Sequence, residues 1–304
     1  MCSSDLGGLR PGELLLLGGA QGTGKTTLAL QMARNVAASG QATALYVCFE
    51  HDEEYLLHRL LAAETHLAGS GEPTAGVRLT DVRKEVAAAA GAAGTPGAVA
   101  ASLVGNPRLA PAIERIAAYG PRLFLLRGSP ADTVVAQLDA LVRDYRAANP
   151  DGRLVLFLDY LQKVPVLPEP PGEAEKVTRI VNGLKDIALG NGVPLMSIVA
   201  ADKEGLKASR LRHHHLRGSS ALEYEADVIL ILNEKYSIVS RTAIEFNPHQ
   251  AQRFHDQVIV TIEKNRAGQH RIDLELEKRF AYSCFAPDAR PVAEKLIEER
   301  LYNE

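Results

Sequence analysis

The chain has no tryptophan among its 304 residues, and aromatics make up only 5% of it. Any platform for stacking nucleic-acid bases would therefore rest on scattered Tyr and Phe. Cysteine is scarce too. Cys2, Cys48 and Cys284 are odd in number, far apart, and form no Cys-x-x-Cys pair. That pattern excludes a disulfide scaffold, argues against structural zinc, and points to a reducing, cytoplasmic setting. No apolar run approaches the roughly 18 residues of a membrane span. The N-terminus lacks the basic-then-apolar layout of a signal peptide, so no membrane partner is expected. Charge of one sign is also missing: 34 Lys and Arg stand against 37 Asp and Glu, for a net charge of −3. A polyanionic partner would need a local basic patch rather than bulk charge.

What is present is ordinary globular material, 46% apolar and 23% charged. A chain of this length can bury roughly 75% of its unfolded surface without cross-links. Six nearly continuous apolar runs, at residues 13–17, 44–49, 122–126, 154–158, 194–199 and 228–232, are separated by stretches with helical spacing. Continuous rather than alternating runs suit parallel strands covered on both faces. The fold class expected is α/β, a mainly parallel twisted sheet flanked by helices. Runs 257–264 and 270–276 do alternate, around Asn265-Arg266-Ala267-Gly268-Gln269, and predict an antiparallel C-terminal hairpin on the sheet edge.

One domain over residues 7–287 accommodates these elements, with residues 288–304 as a helical tail. The Ala/Gly-rich stretch 64–118 reads as a partly helical, partly flexible insertion with no legible chemistry. Four prolines in 164–173 make a stiff loop after the fourth strand. The opening Cys2-Ser3-Ser4-Asp5-Leu6 is what a common sequencing-adapter stretch would translate to, so residues upstream of it are expected to be missing, a short native N-terminus being the alternative.

The chemistry begins at Gly19-Ala20-Gln21-Gly22-Thr23-Gly24-Lys25-Thr26, a full G-x-x-x-x-G-K-[ST] motif between an apolar strand and the helix opening with Thr27. Glycines at Gly19, Gly22 and Gly24 let backbone N–H groups close around a β-phosphate, and the helix N-terminus adds positive potential. Gln21, Thr23 and Thr27 fall in the same cradle. Lys25 supplies a point charge to the β- and γ-phosphates, and the Thr26 hydroxyl is a ligand for Mg²⁺. ATP and Mg²⁺ are the expected cofactors. Asp159 ends the strand 154–158, where a carboxylate completes the Mg²⁺ shell, although strands also end in plain capping acids.

Glu50 ends the run 44–49, which lies beside the phosphate-loop strand in the usual strand order. A carboxylate there can polarise the attacking water. The bland alternative is an acid at a helix start, which is how Glu53 and Glu54 read. Downstream, Lys203, Lys207, Arg210, Arg212 and Arg217 face one acid, Glu204, in the loop after the fifth strand. A mobile cationic loop there suits a single-stranded DNA backbone, and a solvated basic loop is the alternative. Adjacent His213-His214-His215 do not converge on one ion, so no metal site is read there.

Lys264 and Arg266 sit at alternate positions of a strand end and point to one side. The loop at Gly19 already serves this chain's own phosphates, so their natural target is ATP bound by a neighbouring subunit. A solvated hairpin tip is the alternative.

Together these motifs resemble the C-terminal, RecA-like motor domain of DnaB-type replicative helicases over most of residues 7–287. The quotable matches are Gly19 to Thr26, Glu50 after a strand, Leu158-Asp159-Tyr160-Leu161-Gln162, Gly192-Val193-Pro194, Leu216-Arg217, Ala226-Asp227 and Lys264-Asn265-Arg266. The resemblance implies an ATP-hydrolysing helicase motor in a ring of six. Lys264 and Arg266 would act in trans, and Arg217 would meet DNA. The departures are specific. The family's Ser-Gln pair closing the fifth strand reads Val199-Ala200 here, and its Arg-Glu-Ser-Gly reads Arg217-Gly218-Ser219-Ser220. RadA- and KaiC-like ATPases share the phosphate loop and a Lys-Asn-Arg-Gly-like hairpin. A non-translocating ATP-dependent switch or scaffold is the alternative that the missing Gln raises.

Overall fold

The computed structural model describes residues 8–68, 75–93, 95–218, 220–239 and 253–297. The first seven residues, Ser219 and the last seven lie outside that set. The strands are β1 (Leu14–Gly19), β2 (Thr43–Cys48), β3 (Leu123–Arg127), β4 (Leu154–Asp159), β5 (Leu195–Ala200) and β6 (Val228–Glu234). After them come β7 (Gln257–Asn265), β8 (Ile272–Arg279), β9 (Cys284–Phe285) and β10 (Arg290–Pro291). The main helices are α1 (Lys25–Ala38), α2 (Glu53–Leu67), α3 (Leu79–Ala93), α4 (Pro96–Val104), α5 (Ala110–Tyr119), α6 (Val135–Ala148) and α7 (Glu173–Asn191). Two short ones, α8 (Ala221–Glu225) and α9 (Lys235–Ile238), flank β6.

The sheet runs β10-β8-β7-β6-β1-β5-β4-β2-β3, and its central strands are parallel. Strand β1 shows why the apolar runs are continuous. Leu14 and Leu16 enter the core under α6 and α7, whereas Leu15 and Leu17 enter the one under α1 and α2. Both faces of the sheet are covered, so every second residue needs an apolar partner on each side. The expected hairpin is present: β7 pairs antiparallel with β6 and with β8. Cys48 and Cys284 are buried, and burial pushes their thiols up to about 11 and about 12 respectively.

Two expectations need correction, the place of β2 and the helical tail. Strand β2 is not beside β1: β5 and β4 stand between them. Its C-terminal end instead pairs with that of β4, Cys48 opposite Asp159. The described part of 64–118 is mostly helical, and its Val77, Val82, Leu109 and Ala112 form a satellite core with Leu61 and Ala62 of α2. Fully buried Glu64 binds it to the main body, accepting from Arg34 at 2.5 Å and Arg115 at 2.8 Å. The tail does not begin as a helix. Residues 290–291 pair with β8, and Leu296 bridges to Val239. Buried Lys235 secures the tail by its ion pair with Glu294 at 2.8 Å. Residues 298–304 lie outside the described set.

Candidate nucleotide site

The loop from β1 to α1 turns on backbone that side chains resist. Gly22 has φ 85° and Gly24 φ 94°, in the left-handed region. A Cβ on Gly24 would also meet the Phe280 and Phe285 rings at 2.5 and 2.7 Å. Glycine is required there twice over, by conformation and by space. Thr23 is buried beneath the loop and donates its hydroxyl to the Ala20 carbonyl at 2.9 Å. It staples the turn rather than lining the opening. Lys25 folds back over the loop, its Nζ donating to the Gly19 and Ala20 carbonyls at 2.9 and 2.8 Å.

One cavity of about 530 Å³ gathers most of the residues that sequence reasoning chose: Gly19, Gln21, Gly22, Gly24, Lys25, Thr26, Thr27, Glu50 and Asp159. Glu50 is exposed at the end of β2. The acids after it are engaged elsewhere. Asp52 caps α2 by accepting from Tyr55 N at 2.8 Å, and Glu53 accepts from Arg127 N at 2.9 Å. Glu54 faces His58 at 3.7 Å. That leaves Glu50 as the carboxylate of this run in the cavity wall.

Burial dominates the electrostatics at the floor of the site, around Lys25 and Asp159. Burial pulls the Lys25 ammonium below its ordinary value, opposed by the charges of Asp159 and Glu50. Burial pushes the Asp159 carboxyl up, opposed by hydrogen bonds from Thr26 and Tyr46. The Tyr46 hydroxyl donates to Asp159 at 2.9 Å from a fully buried ring. Thr26 and Asp159, on different elements, thus converge as two hard oxygen donors, the set that suits Mg²⁺. The glycine cradle, the lysine and this oxygen pair fit a nucleoside triphosphate with its metal.

Three lining residues, Arg59, Phe280 and Ser283, carry no sequence motif, whereas Gln162 beside them closes the Asp-Tyr-Leu-Gln stretch. Arg59, on α2, donates to Thr27 Oγ1 at 3.0 Å, Ser283 Oγ at 3.1 Å and Tyr55 OH at 2.8 Å, placing a guanidinium in the cavity wall. Nine residues after Glu50, its side of the helix is the only signal that could have flagged it. Phe280 and Ser283 arrive from the corner after β8. Gln162 spans two strand ends: its side chain accepts from Ala200 N at 3.2 Å and donates to the Arg217 carbonyl at 2.8 Å. It therefore ties the end of β5, where the Ser-Gln pair is missing, to the start of the α8 segment.

The basic loop after β5 is only partly what its composition suggested. Arg210 is 2% exposed, donates to Thr261 at 3.0 Å and is ion-paired with Asp273, so it is a buried anchor unavailable to DNA. Arg212 is half-buried against Glu263 at 2.9 Å. Leu211 is clamped by Asn233 through two hydrogen bonds of 2.8 and 3.0 Å. The stretch Arg210–Arg212 is therefore packed down against β6, β7 and β8. Lys203 and Lys207 are exposed, and Arg217 is exposed while paired with Glu173 at 2.7 Å.

Lys264 and Arg266 sit far from the cavity. Asn265 is level with Val228 and Leu15, at the N-terminal edge of the sheet, whereas the phosphate loop leaves β1 at the C-terminal edge beyond Gly19. Lys264 Nζ donates to the Glu223 carbonyl at 2.6 Å. Arg266 donates to the Tyr224 carbonyl and to Asp227 at 3.3 Å, so both cations cap the C-terminal end of α8. Asp227 also accepts from Leu14 N at 2.8 Å and Lys185 at 2.7 Å, fixing that edge to β1 and α7.

Comparison with known proteins agrees with this geometry. A family described as AAA domain matches residues 5–205. Replicative DNA helicase DnaB of Treponema pallidum (strain Nichols) is 25% identical over 229 residues, covering 75% of this chain and 45% of that protein. The DnaB of Rickettsia bellii (strain RML369-C) is 25% identical over 158 residues, 48% of this chain and 31% of that one. The chain thus spans less than half the length of these relatives. The solved ATPase domain of G40P superposes with TM-score 0.71 at 18% identity, over 93% of this chain and 87% of that one. A DnaB-like replicative helicase, solved for its interactions with primase, gives 0.70 at 19%, over 92% and 58%. With its phosphate loop and family match in agreement, the chain belongs to the AAA domain family, and it shares the RecA-like fold of these two solved structures.

Proposed function

We propose that this chain is the ATP-hydrolysing motor of a ring-forming translocase of the DnaB type, acting on single-stranded DNA in the cytoplasm. Lys25 and the loop N–H groups hold the β- and γ-phosphates of ATP. Thr26 and Asp159 hold Mg²⁺, which when bound neutralises charge on those phosphate oxygens. Glu50 takes the proton of the attacking water. Lys203, Lys207 and Arg217 meet the DNA backbone. Lys264 and Arg266 complete the ATP site of the next subunit in a hexamer.

The observation that carries this reading is the separation of the two cationic groups. The phosphate cradle opens at one edge of the sheet, and Lys264 and Arg266 lie at the other. A cation pair that cannot reach its own nucleotide is useful to chemistry only across an interface.

Subunit mixing tests it. Arg266→Ala should cut turnover by up to about 10³-fold, the low end for an arginine finger. Lys25→Ala should be inactive through its own cradle. Mixed oligomers should regain activity, because only they pair an intact cradle with an intact finger. Absence of rescue in mixtures shown by mass photometry to share oligomers would count against trans action.

A further inference from the structure

Within the histidine run, His213 is held by two acids from two different elements. Its Nδ1 lies 3.0 Å from Glu263 Oε2 on β7, and its Nε2 lies 3.2 Å from Glu223 Oε1 on α8. Glu263 is nearly buried, with a side chain 6% exposed, and also holds Arg212 at 2.9 Å. The next residue in the chain is Lys264. Glu223 has a second duty, because its carbonyl accepts from Lys264 Nζ at 2.6 Å. Tyr224, the next residue, accepts from Arg266. The imidazole therefore joins the two pieces of backbone that set where both interface cations stand: β7, which carries them, and α8, which they cap.

We infer that His213, as an imidazolium bridging Glu263 and Glu223, is the positioning residue that holds Lys264 and Arg266 in register for the neighbouring subunit's ATP. The inference rests on the proposed action of Lys264 and Arg266 in trans. It deepens that reading by naming what keeps the pair in place and by linking the pair to the loop that bears Lys203 and Lys207.

The charge environment supports a cation here. On the loop, His213 is flanked by Arg212 and by His214, whose ring lies edge-on at 5.5 Å. From β7 it faces Glu263 with Lys264 beyond, and from α8 it faces Glu223. The hydrogen bond to Glu263 raises the imidazole above its ordinary 6.5, burial opposes, and the charges of Glu223 and Glu263 add to the rise. Burial pushes the Glu263 carboxyl up, but its bonds to His213 and Arg212 outweigh that and hold it low. A raised imidazole gives its full contribution below the ordinary value and loses it as pH climbs through the higher value of the folded protein.

The test compares DNA-stimulated ATP turnover of the wild-type oligomer with His213→Gln across pH 6 to 9. Glutamine keeps hydrogen-bonding capacity and lacks the charge. The ratio of wild type to variant should be roughly threefold or more at the acid end, the scale of a partly exposed ion pair, and fall towards one at the alkaline end. Glu223→Gln, which changes only the more exposed acid, should show the same fall and guards against a folding defect in the first variant. In an Arg266→Ala background, the effect of His213→Gln should shrink to the part that Lys264 still carries. A ratio that does not change with pH, or an undiminished His213 effect without Arg266, overturns the inference while trans action stands. An Arg266→Ala oligomer with normal turnover overturns both.

Discussion

Two substitutions separate nucleotide binding from bond breaking at the level of single side chains. Lys25 Nζ is bonded to loop carbonyls rather than to groups of the apolar core, so its removal leaves the core contacts in place. Lys25→Ala should keep the wild-type unfolding midpoint and lose ATP turnover. Glu50→Gln should bind ATP as tightly as wild type and hydrolyse it at least about tenfold more slowly, as removal of a positioned base requires. A fluorescent nucleotide titration read beside a phosphate-release assay distinguishes the two. Near-normal turnover in Glu50→Gln would move the base role away from the end of β2, and Glu53 is poorly placed to inherit it, being bonded to Arg127.

Elements explain both what could be read from the chain and what could not. The phosphate loop is legible because its chemistry is local: glycines, lysine and threonine occupy fixed places between one strand and one helix. The parallel strands are legible because burial on both faces leaves no polar phase in their sequence. The basic loop misleads for the opposite reason. Arg210 finds its partners Thr261 and Asp273 some 51 and 63 positions away, and no composition window contains them. Arg59 escapes notice because an arginine on an amphipathic helix is commonplace until Thr27 and Ser283 close on it. The tail is misread because a short strand pairing is decided by β8, not by the tail's own residues. This contrast is measurable. Arg210→Ala should cost about 1–3 kcal/mol by removing a buried donor from Thr261 and from Asp273, which keeps its bond from Thr261, read as a lower urea midpoint. Lys203→Ala with Lys207→Ala should leave that midpoint alone and lower the salt slope of single-stranded DNA binding by about 0.7 for each phosphate no longer neutralised. An unchanged slope would mean that this loop is only solvated.

At the scale of the whole molecule, the phosphate cradle and the Lys264–Arg266 pair lie at opposite edges of the sheet, and no operation within one chain brings them together. Contacts that join unlike edges are heterologous, so assembly has a direction and closes only if its rotation does. That asymmetry has a kinetic signature. Under the proposed trans action, a lone subunit holds a cradle that no Lys264–Arg266 pair serves. An open row of any length, from a pair upward, still ends in one unserved cradle, and closure alone removes it. Turnover per subunit should therefore rise with assembly in unequal steps, absent in the monomer, half-saturated in an open pair and complete when the ends meet. Plotting specific activity against the oligomer distribution, as dilution shifts it, would reveal those steps. Full activity in the monomer fraction would deny them. If Lys264 and Arg266 act in trans as proposed, the unserved end site makes the rate a count of each subunit's neighbours.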